Sequence, residues 1–334
     1  MILIMENGFQ NLEAYLRKYD KFIVSTHESP DADGLGSEIA FAELLAFLGK
    51  EFIILNSDPT PETIEFIDID REITVFDENT PPIENLGEYA QFVLDTNDFD
   101  NLGIIYHTLK DLIKDIFIID HHEGNADKST SNFIKARASS SCEIIYDIIQ
   151  HYKMPLTFKS AQAIYTGIVF DTGSFRYPKT SPHTYEIAAH CMKTGVVPHV
   201  VYENLYERNS LSSFALRSKI ASSMEILENG RLIVQSLTPQ MLADTGAIFA
   251  EGESSINTPL TVGGVVASLL VKQDNIGPVK ISMRTKGDYD VANIALQNGG
   301  GGHKNAAGFK SKLSFDEAHD HAIGELQQLI RSKV

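Results

Sequence analysis

Short apolar runs alternate with stretches of helical spacing through the first half of the chain, a pattern that predicts a parallel sheet with crossover helices. The runs Phe22–Ser25, Phe52–Leu55, Ile73–Phe76, Phe92–Leu94 and Ile116–Ile119 are apolar in succession rather than at every second residue. That is the texture of strands buried on both faces. Helical spacing is clearest over Leu35–Leu48, where Leu35, Ile39, Phe41, Leu44, Leu45 and Leu48 are apolar. Ser139 or Ser140 stands before Cys142–His151 as an N-cap, with Glu143 placed for a capping box. Further helices are predicted over Lys159–Val169 and Pro182–Lys193.

Near Gly195 the texture changes. Val196–Glu228 reads as mostly helical, an arm between domains. Beyond it, Arg231–Ser236 and Val279–Met283 read as strands, and Asp316–Ser332 as a closing helix capped by Ser314. The expected organisation is a larger α/β domain over residues 1–195, a helical linker over 196–220 and a smaller α/β domain over 221–334. A length of 334 residues suits two cores better than one.

Composition adds little, with 43% apolar and 22% charged residues as in ordinary globular proteins. Cys142 and Cys191 form no CxxC or Cys/His cluster and read as small buried residues of a reducing compartment. The opening MILIM has no basic flank, and the uncharged run Ser254–Val271 is broken by Asn257, Pro259, Gly263 and Gly264. A cytoplasmic chain without a membrane span is expected. Charge is more telling. A formal −17 repels long polyanions and argues against long duplex nucleic acid as a partner. From Gly263 to Lys312, however, the bases Lys272, Lys280, Arg284, Lys286, Lys304, Lys310 and Lys312 face only Asp274, Asp288 and Asp290. Seven bases against three acids leave +4 there and −21 over the rest.

Three predicted strands end in carboxylate or imidazole groups, and open α/β sheets bind ligands outside the carboxyl ends of their strands. After Phe22–Ser25 come His27, Asp31 and Asp33; after Phe92–Leu94 comes Asp95; after Ile116–Ile119 come Asp120, His121 and His122. Asp171 follows an apolar helical run in GIVFDTGSF. Singly, such an Asp caps a helix, PDADG reads as turn chemistry, and a His pair is an exposed loop. Jointly, four segments bringing Asp and His to one edge leave negative charge uncompensated unless a cation sits there. With no thiolate in the set, a hard or borderline divalent ion such as Mn²⁺ fits better than structural Zn²⁺. Four Asp and two His suit two ions better than one.

HESPDADGLGS, VLDTND, IIDHHEGN and GIVFDTGSF, in this order, resemble the four motifs of the DHH phosphoesterases. KISMRTKG, DVANIA and GGGGHKNAAGF resemble the DHH-associated substrate domain, and the layout is similar to the nanoRNase and pAp-phosphatase group. The resemblance spans nearly the whole chain. It implies hydrolysis of two- to five-nucleotide RNAs or of 3′-phosphoadenosine 5′-phosphate by water activated at two Mn²⁺ ions, with Mg²⁺ or Co²⁺ as substitutes. It also implies one ion on His27, Asp31 and Asp95 and another on Asp33, Asp95, His121 and Asp171. His122 would meet the scissile phosphate and Asp120 would orient the imidazoles. Arg284, His303 and the backbone of Gly300, Gly301 and Gly302 would hold the substrate's terminal phosphate, with substrate between the domains. Alternatives within the class are pApA or a cyclic dinucleotide as substrate; outside it, a nucleotide-binding sensor without turnover. A homodimer is compatible with this reading. One departure stands out: many relatives carry an Arg after the second motif, and DTNDFDNLG has none.

Overall fold

A computed structural model describes residues 2–77, 83–122 and 131–333. The chain divides into two compact units, residues 1–208 and 209–334. Among the described residues, no helix is long and apolar enough to cross a membrane.

The first unit runs α1 (Ile2–Lys18), β1 (Lys21–Ser25), α2 (Ala32–Phe47), β2 (Glu51–Asn56), β3 (Ile73–Val75), β4 (Tyr89–Leu94), α3 (Ile104–Leu109), β5 (Ile116–Asp120) and β6 (Ser131–Ile134). It continues with α4 (Ser141–His151), α5 (Phe158–Asp171), α6 (Pro182–Lys193) and α7 (Pro198–Tyr206). Its described strands form a six-stranded parallel sheet of order β3-β2-β1-β4-β5-β6. The uninterrupted apolar runs have a simple cause. Phe22, Val24, Phe92, Leu94, Phe117 and Ile119 pack into the core with α2, α4 and α5. The intervening Ile23, Val93 and Ile118 fill smaller clusters with Ile105, Leu109 and Leu102. Between β1 and β4 the order reverses, which opens a crevice at the strands' carboxyl ends.

α2 begins three residues before the predicted start, because Asp31 caps it by accepting the N–H groups of Asp33 and Gly34. The DADG segment is therefore helix rather than turn. Ser140 caps α4 as expected, but Glu143 closes no capping box on it: its carboxylate takes the N–H and hydroxyl of Ser139 instead. Both cysteines are buried and free.

The second unit runs α8 (Leu211–Ser222), β7 (Glu225–Leu227), β8 (Leu232–Leu237), α9 (Pro239–Thr245), β9 (Ala267–Lys272), β10 (Val279–Thr285), α10 (Ala292–Gln297), β11 (Gly301–His303), β12 (Ala306–Ser311) and α11 (Phe315–Arg331). Its sheet has the order β11-β12-β10-β9-β8-β7 and is antiparallel except at β8–β9. Val279, Ile281 and Met283 of β10 face a core with Ala318, Ala322, Leu326 and Ile330 of α11. On the opposite face, Leu270 of β9 packs with Leu216 and Ile220 of α8 and Ile256 of a 3-10 stretch. Lys280, Ser282 and Arg284 on that face of β10 are only half buried. The span 196–220, read as a linking arm, holds two helices with different homes: Val201 of α7 joins the first unit's core, and Leu216 of α8 the second's.

Candidate metal centre and cationic sheet face

The crevice at the β1–β4 reversal collects the candidate ligands. His27 follows β1, and its Nδ1 lies 2.8 Å from the Glu28 carbonyl. A carbonyl only accepts, so Nδ1 carries the proton and Nε2 keeps its lone pair. That Nε2 lies 3.9 Å from Asp31 Oδ2 and 3.7 Å from Asp95 Oδ2. Asp31 uses its other oxygen to cap α2. Asp33 is fully buried, and its two oxygens accept the N–H groups of Ser141 at 2.6 Å and Cys142 at 2.9 Å, at the start of α4. A helix N-terminus is a favourable seat for a carboxylate.

Asp95 follows β4 with φ +63°, a left-handed conformation uncommon outside glycine. Its Oδ1 accepts the Ser141 hydroxyl at 2.9 Å and lies 3.5 Å from His121 Nε2, while Oδ2 faces His27. One carboxylate thus stands between two imidazoles. Asp171, the last residue of α5, brings Oδ2 to 3.2 Å from His121 Nε2, and Asp33 Oδ2 stands 3.7 Å from the same nitrogen. The nearest acceptor of His121 Nδ1 is the Ala138 carbonyl at 3.4 Å. Nε2 is buried with no hydrogen-bond partner although three carboxylates surround it. Buried polar nitrogens rarely stay unpartnered. Asp120 bonds through Oδ1 to the His121 N–H at 2.8 Å and to His122 Nδ1 at 2.7 Å, which turns the His122 ring toward solvent with Nε2 free of that bond.

Electrostatics say the same. Burial, then Asp33, Asp31 and Asp171, pushes the Asp95 carboxyl well above the usual carboxylate range. Burial and the neighbouring Asp33 and Asp31 push Asp171 up to about 8, and burial with Asp33 raises Asp31. Burial lowers His121, which favours the neutral, ligating imidazole. The bond to Asp120 raises His122. Burial would raise Asp120 too, but the His122 bond and charge hold its carboxyl low. Crowded buried carboxylates beside a neutral imidazole with an unused lone pair fit divalent cations.

Ligand atoms of His27, Asp31 and Asp95 lie within 4.8 Å of one another, as do those of Asp33, His121 and Asp171. The structure therefore brings together all six residues read as ligands, with Asp120 and His122 beside them. Residues 123–125 of the third motif lie outside the described residues. Sequence reasoning missed Ser141, which holds Asp95, and Lys179, whose ammonium donates to the His121 carbonyl at 3.2 Å. The Ser139–Ser141 run signalled only a helix cap. Another group, Glu143, Asp147 and His183, has its counter-charge in Lys135, at 3.0 Å from Glu143 and 2.9 Å from Asp147.

In the second unit, strand register sets the arrangement. His303 of β11 is opposite Ala306 of β12, and Ala306 is opposite Arg284 of β10. Opposed residues share a sheet face, so Arg284 and His303 flank the small Ala306 about 10 Å apart, two strand spacings. Lys310, Lys280 and Lys272 likewise form one row across β12, β10 and β9. These lysines, with Ser282, Gly300 and Gly308, line a cavity of about 430 Å³. One expectation needs correction. The Gly300 N–H does not face outward but donates to the Ala295 carbonyl at 2.8 Å, ending α10. A Cβ at Gly300 would lie 2.5 Å from that of Phe309, so the glycine serves packing. Gly301 and Gly302 lie on an edge strand, which leaves alternate N–H groups unpaired.

Residues 21–168 match the DHH family, N-terminal domain, and residues 246–332 match the DHHA1 domain. The chain thus carries a DHH N-terminal domain followed by a DHHA1 domain. It is a hydrolase of phosphoester bonds, and its Asp and His clusters fit divalent cations. A bifunctional oligoribonuclease and PAP phosphatase of Thermus thermophilus is 28% identical over 308 residues, 91% of this chain and 89% of that one. A cyclic-di-AMP phosphodiesterase of Geobacillus thermodenitrificans is 26% identical over 97% of this chain, which spans 48% of its length. The solved exopolyphosphatase-related protein of Bacteroides fragilis shares the fold, with a TM-score of 0.87 at 22% identity, covering 98% of this chain and 96% of that one.

Proposed function

We propose that this chain degrades short oligoribonucleotides, dephosphorylates 3′-phosphoadenosine 5′-phosphate, or does both, with Mn²⁺ as the working ion. His27, Asp31 and Asp95 would hold one ion; Asp33, Asp95, His121 and Asp171 the other. The observation that carries this reading is Asp95, with one oxygen toward His27 and the other toward His121. Bound there, two divalent ions lower the pKa of a water and offset charge on the phosphoryl oxygens. His122, oriented by Asp120, donates from Nε2 to the phosphate or the leaving oxygen. Arg284, His303 and the Gly301–Gly302 edge hold a terminal phosphate, where charge-assisted bonds are strong.

Short substrates are favoured because most of the chain carries −21 and repels longer polyanions. The similarity to the Thermus enzyme over nine-tenths of both chains supports this substrate class. The similarity to the cyclic-di-AMP phosphodiesterase supports a second reading, hydrolysis of pApA or a cyclic dinucleotide. Turnover with Mn²⁺ of 3′-phosphoadenosine 5′-phosphate, pApA, cyclic di-AMP, RNAs of 2 to 24 nucleotides and pyrophosphate separates them. Fastest turnover of the bisphosphate or of RNAs up to five nucleotides supports the proposal. Preference for pApA or the cyclic dinucleotide supports the second reading, and tight binding without turnover overturns both.

A further inference from the structure

Directly after Asp171, the chain makes an unusual turn. Gly173, Ser174 and Phe175 all have positive φ, at 53°, 61° and 64°. Two consecutive non-glycine residues in that region are rare and persist only where their surroundings enforce them. Here Thr172 enforces it: its hydroxyl accepts the Phe175 N–H at 2.9 Å, and its carbonyl accepts those of Arg176 at 2.9 Å and Tyr177 at 3.0 Å. The result is a sorting of side chains. Phe175 turns inward to stack on Tyr185, with ring centroids 5.1 Å apart. Tyr177 turns outward and lies across Gly173, where a Cβ would meet its ring at 2.5 Å.

Facing Tyr177, α7 contributes Tyr202 and Tyr206, whose ring centroids are 4.9 Å apart. Tyr177 and Tyr202 remain 52% and 44% exposed. The three rings, with Arg176 and Asp171, line a cavity of about 430 Å³. That lies within the ~300–1,000 Å³ common for small-molecule sites. The Arg176 guanidinium sits 5.9 Å from the Tyr177 ring centroid, and its Nε donates to the Gly173 carbonyl at 2.7 Å. Nothing in the phosphoester chemistry uses these rings, yet their cavity shares a wall, Asp171, with the candidate metal centre.

We infer that this tyrosine-lined cavity is a nucleobase subsite, which stacks the base of the nucleotide whose phosphoester reaches the Asp171 side of the centre. The inference rests on the proposed function and deepens it. Flat bases stack on tyrosine, and an arginine over an aromatic ring extends such a platform. Stacking tolerates any base, because each has a π-face, so the subsite admits mixed sequences while disfavouring substrates without a base. It gives the first unit its own means of telling a nucleotide from pyrophosphate or polyphosphate.

The test compares wild type, Tyr202→Ala, Tyr177→Ala and Tyr202→Phe on a dinucleotide and on its abasic counterpart with the same phosphoester. Stacking contributes roughly 1–3 kcal/mol per base, so either alanine variant reduces the preference for the base-bearing substrate by about 5- to 150-fold. The loss falls in KM rather than kcat, and Tyr202→Phe keeps most of the preference. Binding gives a second readout: 2-aminopurine in the dinucleotide is quenched by wild type and by Tyr202→Phe, but much less by the alanine variants. Equal losses on both substrates, or unchanged quenching, overturn the subsite. Failure of wild type to hydrolyse any nucleotide overturns the functional reading instead.

Discussion

In the first unit, Asp33 is sealed from solvent with both oxygens bonded to backbone N–H groups of α4. In the second, Lys280, Arg284 and Lys310 stand on a sheet face that α8 and the 3-10 stretch leave partly open. Both regions concentrate one sign of charge, but the consequences differ. Buried carboxylates repel strongly at low effective dielectric, so the first region is held under load by caps, strand ends and helix N–H groups. The open cations are screened by water and salt, and register alone suffices to place them. Chemistry therefore needs the first kind of site, and capture of an anion is content with the second.

The sharpest way to break this contrast is Asp95→Asn. It keeps an acceptor for Ser141 but removes the charge that burial and four carboxylates oppose. Turnover should fall at least ~10³-fold, because a metal centre supplies several kcal/mol of transition-state stabilisation. The metal-depleted variant should melt higher than metal-depleted wild type. The sign follows from the shift: a carboxyl raised above its unfolded value costs stability when ionised at neutral pH, and Asn removes that cost. Adding Mn²⁺ should raise the Tm of wild type and barely that of the variant. A thermal melt with and without chelator checks both, and a less stable metal-free variant would contradict the account.

Arg284→Ala should have a middling effect, with kcat/KM down roughly 10- to 150-fold from loss of hydrogen bonds to a charged group. The loss should be larger on substrates with a free terminal phosphate than on matched ones without it. The Tm gain on adding Mn²⁺ should not change, since the ligands are elsewhere. Equal losses on all substrates would assign Arg284 to packing. Lys310→Ala should have the smallest effect. An exposed charge is worth roughly 0.2–1 kcal/mol, so kcat/KM should fall less than about fivefold and recover wild-type parity at high salt. A salt-independent loss would mean the lysine row is drier than its exposure indicates.

How much could be read beforehand follows the same contrast. The strands around Phe22, Phe92 and Ile116 were legible because two-sided burial writes itself as an unbroken apolar run. β6 was not, since Ser131 and Asn132 interrupt its apolar pattern. β9 escaped notice inside the uncharged stretch weighed as a membrane span. The Asp and His set was recognisable by residue type alone. Its supports were not: Ser141 reaches Asp95 across 46 residues of sequence, and Gly300 is fixed by a neighbour on β12. Tyr177, Tyr202 and Tyr206 form a site only because a left-handed turn aims the first of them at α7.

The hold of α4 on Asp33 bears on how natural variants of this chain should be interpreted. Because backbone N–H groups make that hold, exchanging the side chains at 141 and 142 leaves it in place, except where the incoming residue is proline. Ser141 is the first residue of α4, the position where helices accept proline most readily, and Ser140 before it is already extended. Proline at 141 would nonetheless remove both the N–H that reaches Asp33 and the hydroxyl that reaches Asp95. A substitution that propensity scales score as harmless is, at this one position, the mark by which a folded but silent homologue could be picked out of a genome.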